Sequence, residues 1–97
     1  MTYWIKNGKG YLKEYYNEGN LFFEGEFFNG KRNGKGKEYY DGKLRFEGEY
    51  LNGKRNGKGK EYFNNKLICE GEYLNGRRNG KGKEYYYDGN YYLKENI

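Results

Sequence analysis

Ninety-seven residues suffice for one small domain, and a compact chain of that size hides only about two-thirds of its unfolded surface, so its core is thin. Hydrophobic and charged residues each make up 34%, and the net charge is +5, a balance that alone would suggest disorder. The 22% aromatic content, chiefly 14 Tyr and 6 Phe, argues against that, because Tyr and Phe bury large flat surfaces and favour strands.

The missing residue types narrow the chemistry. The chain has no Pro, His, Ala, Val, Ser or Gln, and its 17 Gly would each cost a helix interior about 1 kcal/mol. Long helices are not expected. The lone Cys69 has no partner for an internal disulfide, and no Cys/His cluster exists to hold zinc. This cysteine usage fits a reducing compartment. Met1–Lys6 lacks the apolar run of a signal peptide, and no stretch is long enough to span a bilayer as a helix. A cytoplasmic protein, peripheral to a membrane at most, is expected.

In chain order, a half-unit at 1–20 comes first and carries Asn7-Gly8-Lys9-Gly10. The same tetrapeptide begins at residues 33, 56 and 79, and Glu-Gly-Glu begins at 24, 47 and 70, all in steps of 23. The first tetrapeptide is displaced by 26, which places an extra three residues in Tyr11–Phe23. Full units are therefore expected at 21–43, 44–66 and 67–90, with a stub at 91–97. Half-units at the ends suit a stacked array, whose open ends need capping.

In the central unit, Leu44, Phe46, Gly48 and Tyr50 alternate with Arg45, Glu47, Glu49 and Leu51, the period-two signature of a half-buried strand. Asn52–Gly57 reads as a turn rich in residues that tolerate positive φ, followed by a short strand at about Lys58–Phe63 and a turn at Asn64-Asn65-Lys66. Each unit becomes one hairpin. The whole is expected to be an all-β, elongated, twisted single antiparallel meander of about eight strands. Gly48 leaves a gap beside Phe46 and Tyr50 that an aromatic ring can cover; alternatively, such glycines merely relieve strain where the sheet coils.

The run Phe46-Glu47-Gly48-Glu49-Tyr50-Leu51-Asn52-Gly53-Lys54-Arg55-Asn56-Gly57-Lys58-Gly59 resembles the MORN (membrane occupation and recognition nexus) repeat. That pattern is aromatic-x-Gly-x-aromatic, then Asn/Asp-Gly-Lys, then Gly-x-Gly. It recurs at Phe23–Gly36 and Cys69–Gly82, where Cys69 replaces the first aromatic, and in part at Lys6–Gly10. The turn after Gly-x-Gly comes about one residue early, as in the bacterial-type variant. The resemblance implies an elongated, twisted sheet with a groove, used for protein contacts, scaffolding and apposition to membranes. Function passes only loosely from fold to chain.

Catalysis is not expected, and neither is a cofactor or a metal site. Each Glu-Gly-Glu sets two carboxylates on one strand face about 7 Å apart, a spacing that serves glycosidases and metal sites. Here the pair is written three times, which an active site rarely is. Lys37, Lys60 and Lys83, or Glu38, Glu61 and Glu84, could lie across the sheet from these pairs and form ordinary ion pairs. Without His or Ser the common nucleophile–base arrangements cannot be assembled, and Cys69 reads as a packed thiol.

Two surfaces remain as candidates for binding. A single-layer sheet leaves a face uncovered, and an aromatic face made from Phe27, Phe46, Tyr50, Tyr62, Phe63, Tyr73 and Tyr85 would invite another protein or a second copy, although the same residues could instead form the core. Equivalent turns would also align Lys31, Arg32, Lys54, Arg55, Arg77 and Arg78 along one edge, where they could meet anionic lipid such as phosphoinositide or simply keep the meander soluble. Nucleic acid is disfavoured, because no RNA-binding motif is present and the Glu pairs would repel phosphates. The leading expectation is a non-catalytic protein-binding or scaffolding module.

Overall fold

The computed structural model describes residues 2–6, 8–87 and 91–95; residues 88–90 of the last expected unit and 96–97 of the stub lie outside the described residues. The strands are β1 (Thr2–Lys6), β2 (Lys9–Asn17), β3 (Asn20–Phe28), β4 (Lys31–Tyr40), β5 (Lys43–Leu51), β6 (Lys54–Phe63), β7 (Lys66–Leu74), β8 (Arg77–Tyr87) and β9 (Tyr91–Glu95). They form one sheet in sequence order, each strand antiparallel to the next. The expected meander is present, with nine strands among the described residues where the sequence predicts about eight. The molecule measures 44 × 28 × 14 Å, the thickness of a single sheet with its side chains.

Two-residue turns drive the folding of each hairpin. Asn29-Gly30, Asp41-Gly42, Asn52-Gly53, Asn64-Asn65 and Asn75-Gly76 all carry positive φ at both positions, the mirror-image turn whose twist matches that of the flanking strands. The long turn expected over Asn52–Gly57 is therefore only Asn52-Gly53, and β6 begins at Lys54. The remaining residues form a bulge: Gly48 pairs with Gly59 and Tyr50 with Arg55, so Asn56, Gly57 and Lys58 together stand opposite Glu49. Gly57 takes φ 104° there. That conformation is open to glycine and strained for other residues, so the second Asn-Gly of each unit serves as a bulge inside its strand, here β6, while the first makes the turn.

The first Asn-Gly-Lys-Gly plays a different part. Gly10 pairs with Phe27 as Gly34 pairs with Tyr50, and Leu12 stands opposite Gly25 as Gly36 stands opposite Gly48. Gly8 belongs to the β1–β2 turn, and its carbonyl accepts a hydrogen bond from Asn29 N at 2.8 Å. The 26-residue displacement combines a two-residue slip of the tetrapeptide relative to the strand pairing with one extra residue, Tyr16, in a bulge of β2. No additional loop accounts for it, since β2 and β3 join through Glu18-Gly19.

Alternation sorts the side chains onto two faces. One face buries Phe23, Phe27, Phe46, Tyr50, Cys69 and Tyr73. Phe46 meets Tyr50 and Tyr73 edge-on at centroid separations of 5.8 and 5.2 Å, and Phe23 meets Tyr50 at 5.2 Å. These rings lie over a glycine row in which Gly25, Gly36, Gly48, Gly59, Gly71 and Gly82 pair in succession across six strands. A Cβ on Gly59 would stand 2.5 Å from Cζ of Phe46. Of the two readings of these glycines, the ring-covered one is what the fold uses.

Candidate functional site

On the aromatic face the Phe23 and Phe46 rings are each roofed by an arginine. Arg55 on β6 reaches past β5 to Glu38 on β4, with Nε–Oε2 at 2.9 Å and Nη2–Oε1 at 3.0 Å. Its guanidinium sits 4.0 Å from the centre of the Phe46 ring. One unit earlier, Arg32 spans β3 to Glu14 at 3.0 Å and lies 3.9 Å from the Phe23 ring. One unit later, Arg78 spans β7 to Glu61 at 2.8 Å, and Cys69 stands at the position that Phe23 and Phe46 hold in the sister units.

A tyrosine completes two of these clamps: Tyr50 donates its hydroxyl proton to Glu38, and Tyr73 does the same to Glu61. Burial would raise the Glu38 carboxyl, but the hydrogen bonds from Arg55 and Tyr50 outweigh it and hold it below the usual range; Glu61 behaves alike. Burial, reinforced by the bond to Glu38, pushes the Tyr50 phenol far up. Burial likewise raises the Cys69 thiol, which suits a packed group and not a nucleophile.

This arrangement divides the residues singled out in the sequence. Phe27, Phe46, Tyr50 and Tyr73 are buried core, so the open aromatic face expected for a partner is largely occupied by the chain itself. Tyr62 and Tyr85 belong to the opposite face, where their hydroxyls donate to Glu47 at 2.6 Å and Glu70 at 2.7 Å. Phe63 remains 67% exposed. Arg32, Arg55 and Arg78 are engaged with carboxylates, whereas Lys31, Lys54 and Arg77 are exposed and form no ion pair among the described residues. The basic row is therefore half as dense as its sequence suggests.

The turn edge carries a second component that composition concealed. Phe28 pairs with Lys31, Leu51 with Lys54 and Leu74 with Arg77. The three apolar side chains are 40%, 50% and 51% exposed. Equivalent pairs recur every second strand, about 10 Å apart. The turns are fastened in line: Gly53 N donates to Arg32 O at 2.9 Å and Gly76 N to Arg55 O at 2.8 Å. The signal was present in the sequence, since an apolar residue precedes each Asn-Gly turn at 23-residue spacing.

The opposite face is a groove of about 920 Å³, floored by the backs of the glycine row. Beside the row runs a ladder in register, Glu24–Lys37–Glu47–Lys60–Glu70–Lys83. On the other side Lys35 pairs with Glu49 and Lys58 with Glu72. The Lys37, Lys60 and Lys83 alternative thus lies on the Glu-Gly-Glu face, and Glu38 and Glu61 lie with the arginines. Carboxylates here have structural tasks: Glu49 accepts from Lys58 N at 2.7 Å and Glu26 from Lys35 N at 3.0 Å, closing the bulges. Burial and the bond to Glu47 push the Tyr62 phenol up to about 12. Among the described residues no cluster of three or more His, Cys, Asp or Glu could hold a metal ion, and no helix is long and apolar enough to cross a membrane.

Fold and site together define a β-hairpin repeat protein with an internally clamped aromatic face and a charged, grooved one. The MORN repeat family model matches residues 23–44, 46–67 and 69–91, and the chain belongs to that family. A search of curated proteins and a search of solved structures each gave no match.

Proposed function

We propose that the chain is a non-catalytic binding module that docks its turn edge on an anionic membrane surface at the cytoplasmic side. The observation that carries this reading is the pairing of Phe28, Leu51 and Leu74 with Lys31, Lys54 and Arg77 along one edge. Each cation near an anionic leaflet contributes about 1 kcal/mol, so three acting together raise affinity by about a hundredfold. The apolar tips add burial in the headgroup region at about 25 cal/mol per Å². The hydrogen-bonded turns hold all three pairs in one line, which spares most of the ordering cost a flexible basic tail would bear.

Flotation with phosphatidylcholine vesicles, with and without a phosphoinositide, tests this. Binding is expected only to the anionic vesicles, to fall with salt, and to disappear in the Lys31→Glu/Lys54→Glu/Arg77→Glu variant. Those three residues stand outside the Arg–Glu clamps, so the variant keeps its fold. Flotation that is indifferent to the charge reversal would refute the reading.

A further inference from the structure

We infer that the charged face is a self-complementary interface by which two copies of this chain pair face to face. Acids and bases are segregated by strand. On this face β3, β5 and β7 present Glu24 and Glu26, Glu47 and Glu49, and Glu70 and Glu72, while β4 and β6 present Lys35 and Lys37, and Lys58 and Lys60. The sign therefore alternates with every strand, about 4.8 Å apart.

Such a pattern has a definite consequence under two-fold symmetry. An axis parallel to the strands and midway between β5 and β6 lays β5 over β6 of the second copy, and β4 over β7. Glu47 then faces Lys60, and Lys37 faces Glu70, each contact occurring twice. Centring the axis on any strand instead lays like charge over like, so the alternation selects against a slip of one strand. Sheet twist turns packed strands about 30° from parallel, which concentrates the contact on the central four strands.

The lysines are available for it. Lys37 and Lys60 form no ion pair within 4.0 Å among the described residues, although each is in register with glutamates on both sides. The central four strands cover about 19 Å of the 44 × 28 Å face, a contact smaller than the ~800 Å² per partner of a standard interface and in keeping with a weak dimer. Charge pairing of this kind gives a wet, salt-sensitive dimer.

Sedimentation at low salt tests the inference. Wild-type chain is expected to dimerise and to dissociate as salt rises. The Lys37→Glu/Lys60→Glu variant makes the row of residues 37, 47, 60 and 70 wholly acidic, and Glu47→Lys/Glu70→Lys makes it wholly basic. Each alone should be monomeric, and their equimolar mixture should restore the dimer, because every contact is then opposite in sign. Circular dichroism verifies that each variant remains folded. Should a variant unfold, carbodiimide coupling of mixed ¹⁴N and ¹⁵N wild-type chains reads the same contact, as a Lys60–Glu47 cross-link of mixed isotope. A monomeric wild type, variants that dimerise as it does, a mixture that stays monomeric, or cross-links confined to single-isotope species would each overturn it.

Discussion

Arg55 and Glu38 lie 17 residues apart and two strands apart, yet they meet through two hydrogen bonds of 2.9 and 3.0 Å across the top of Phe46. This contact explains how a chain that is 34% hydrophobic keeps a dry core on a single sheet. The glycine row closes the ring from below, and a guanidinium whose charge is matched by the carboxylate closes it from above.

Removing Arg55 leaves Glu38 half-buried with only its Tyr50 bond, and neutralising Glu38 leaves the half-buried Arg55 without its carboxylate. The Glu38→Gln and Arg55→Ala variants are each expected to lose about 2 kcal/mol of stability, less than for a fully buried pair because both side chains keep about a quarter of their exposure. Tyr50→Phe should cost about 1.5 kcal/mol, the low end for a hydrogen bond to a charged group because Glu38 is only half-buried. Urea denaturation measures all three, and an Arg55→Ala variant as stable as wild type would show that the roof carries no weight.

Two glycines should fail for different reasons. Gly59→Ala places a methyl within 2.5 Å of the Phe46 ring and is expected to destabilise by about 1–3 kcal/mol through forced repacking. Gly53→Ala meets nothing within 4 Å but holds φ 87°, so its cost of about 1 kcal/mol is backbone strain alone. Restoring space with a Phe46→Leu change should relieve the first variant and not the second.

Cys69→Phe should raise the melting temperature. Phe23 and Phe46 occupy this position in the sister units, and Gly82 is only half-buried where Gly36 and Gly59 are buried. A ring there covers Gly82 and supplies Arg78 with the aromatic surface that Arg32 and Arg55 already have, a gain of about 1 kcal/mol. A lower melting temperature would mean the site has closed around the thiol.

Stability should fall at both ends of the pH scale. The Glu38 and Glu61 carboxyls are depressed in the folded state, so their contribution is complete above the unfolded value and is lost as pH drops through the folded one. The Tyr50, Tyr62 and Tyr73 phenols are raised, so their contribution is complete below pH 10 and declines as pH rises beyond it. Melting temperatures should therefore be flat near neutrality, fall on acidification below pH ~4.5, and fall again above pH ~10. Tyrosinate absorbance appearing together with unfolding would confirm the alkaline arm.

The period-two alternation within each unit and the Asn-Gly turns determine hairpins, because each depends on neighbours a few residues apart in the chain, and the 23-residue period repeats those hairpins into a meander. Glu47 and Phe46 were thereby assigned to opposite faces. Which face becomes the core is decided only by packing, since both carry large side chains and only one can lay its rings over the glycine row. The Arg55–Glu38 clamp is likewise invisible in one dimension: it needs the bulge at Gly57 to set the register of β6, and it skips the strand between. The two roles of Asn-Gly-Lys-Gly, turn at the first copy and bulge thereafter, follow from the same cause. Identical local chemistry is read differently according to the strand that stands opposite it.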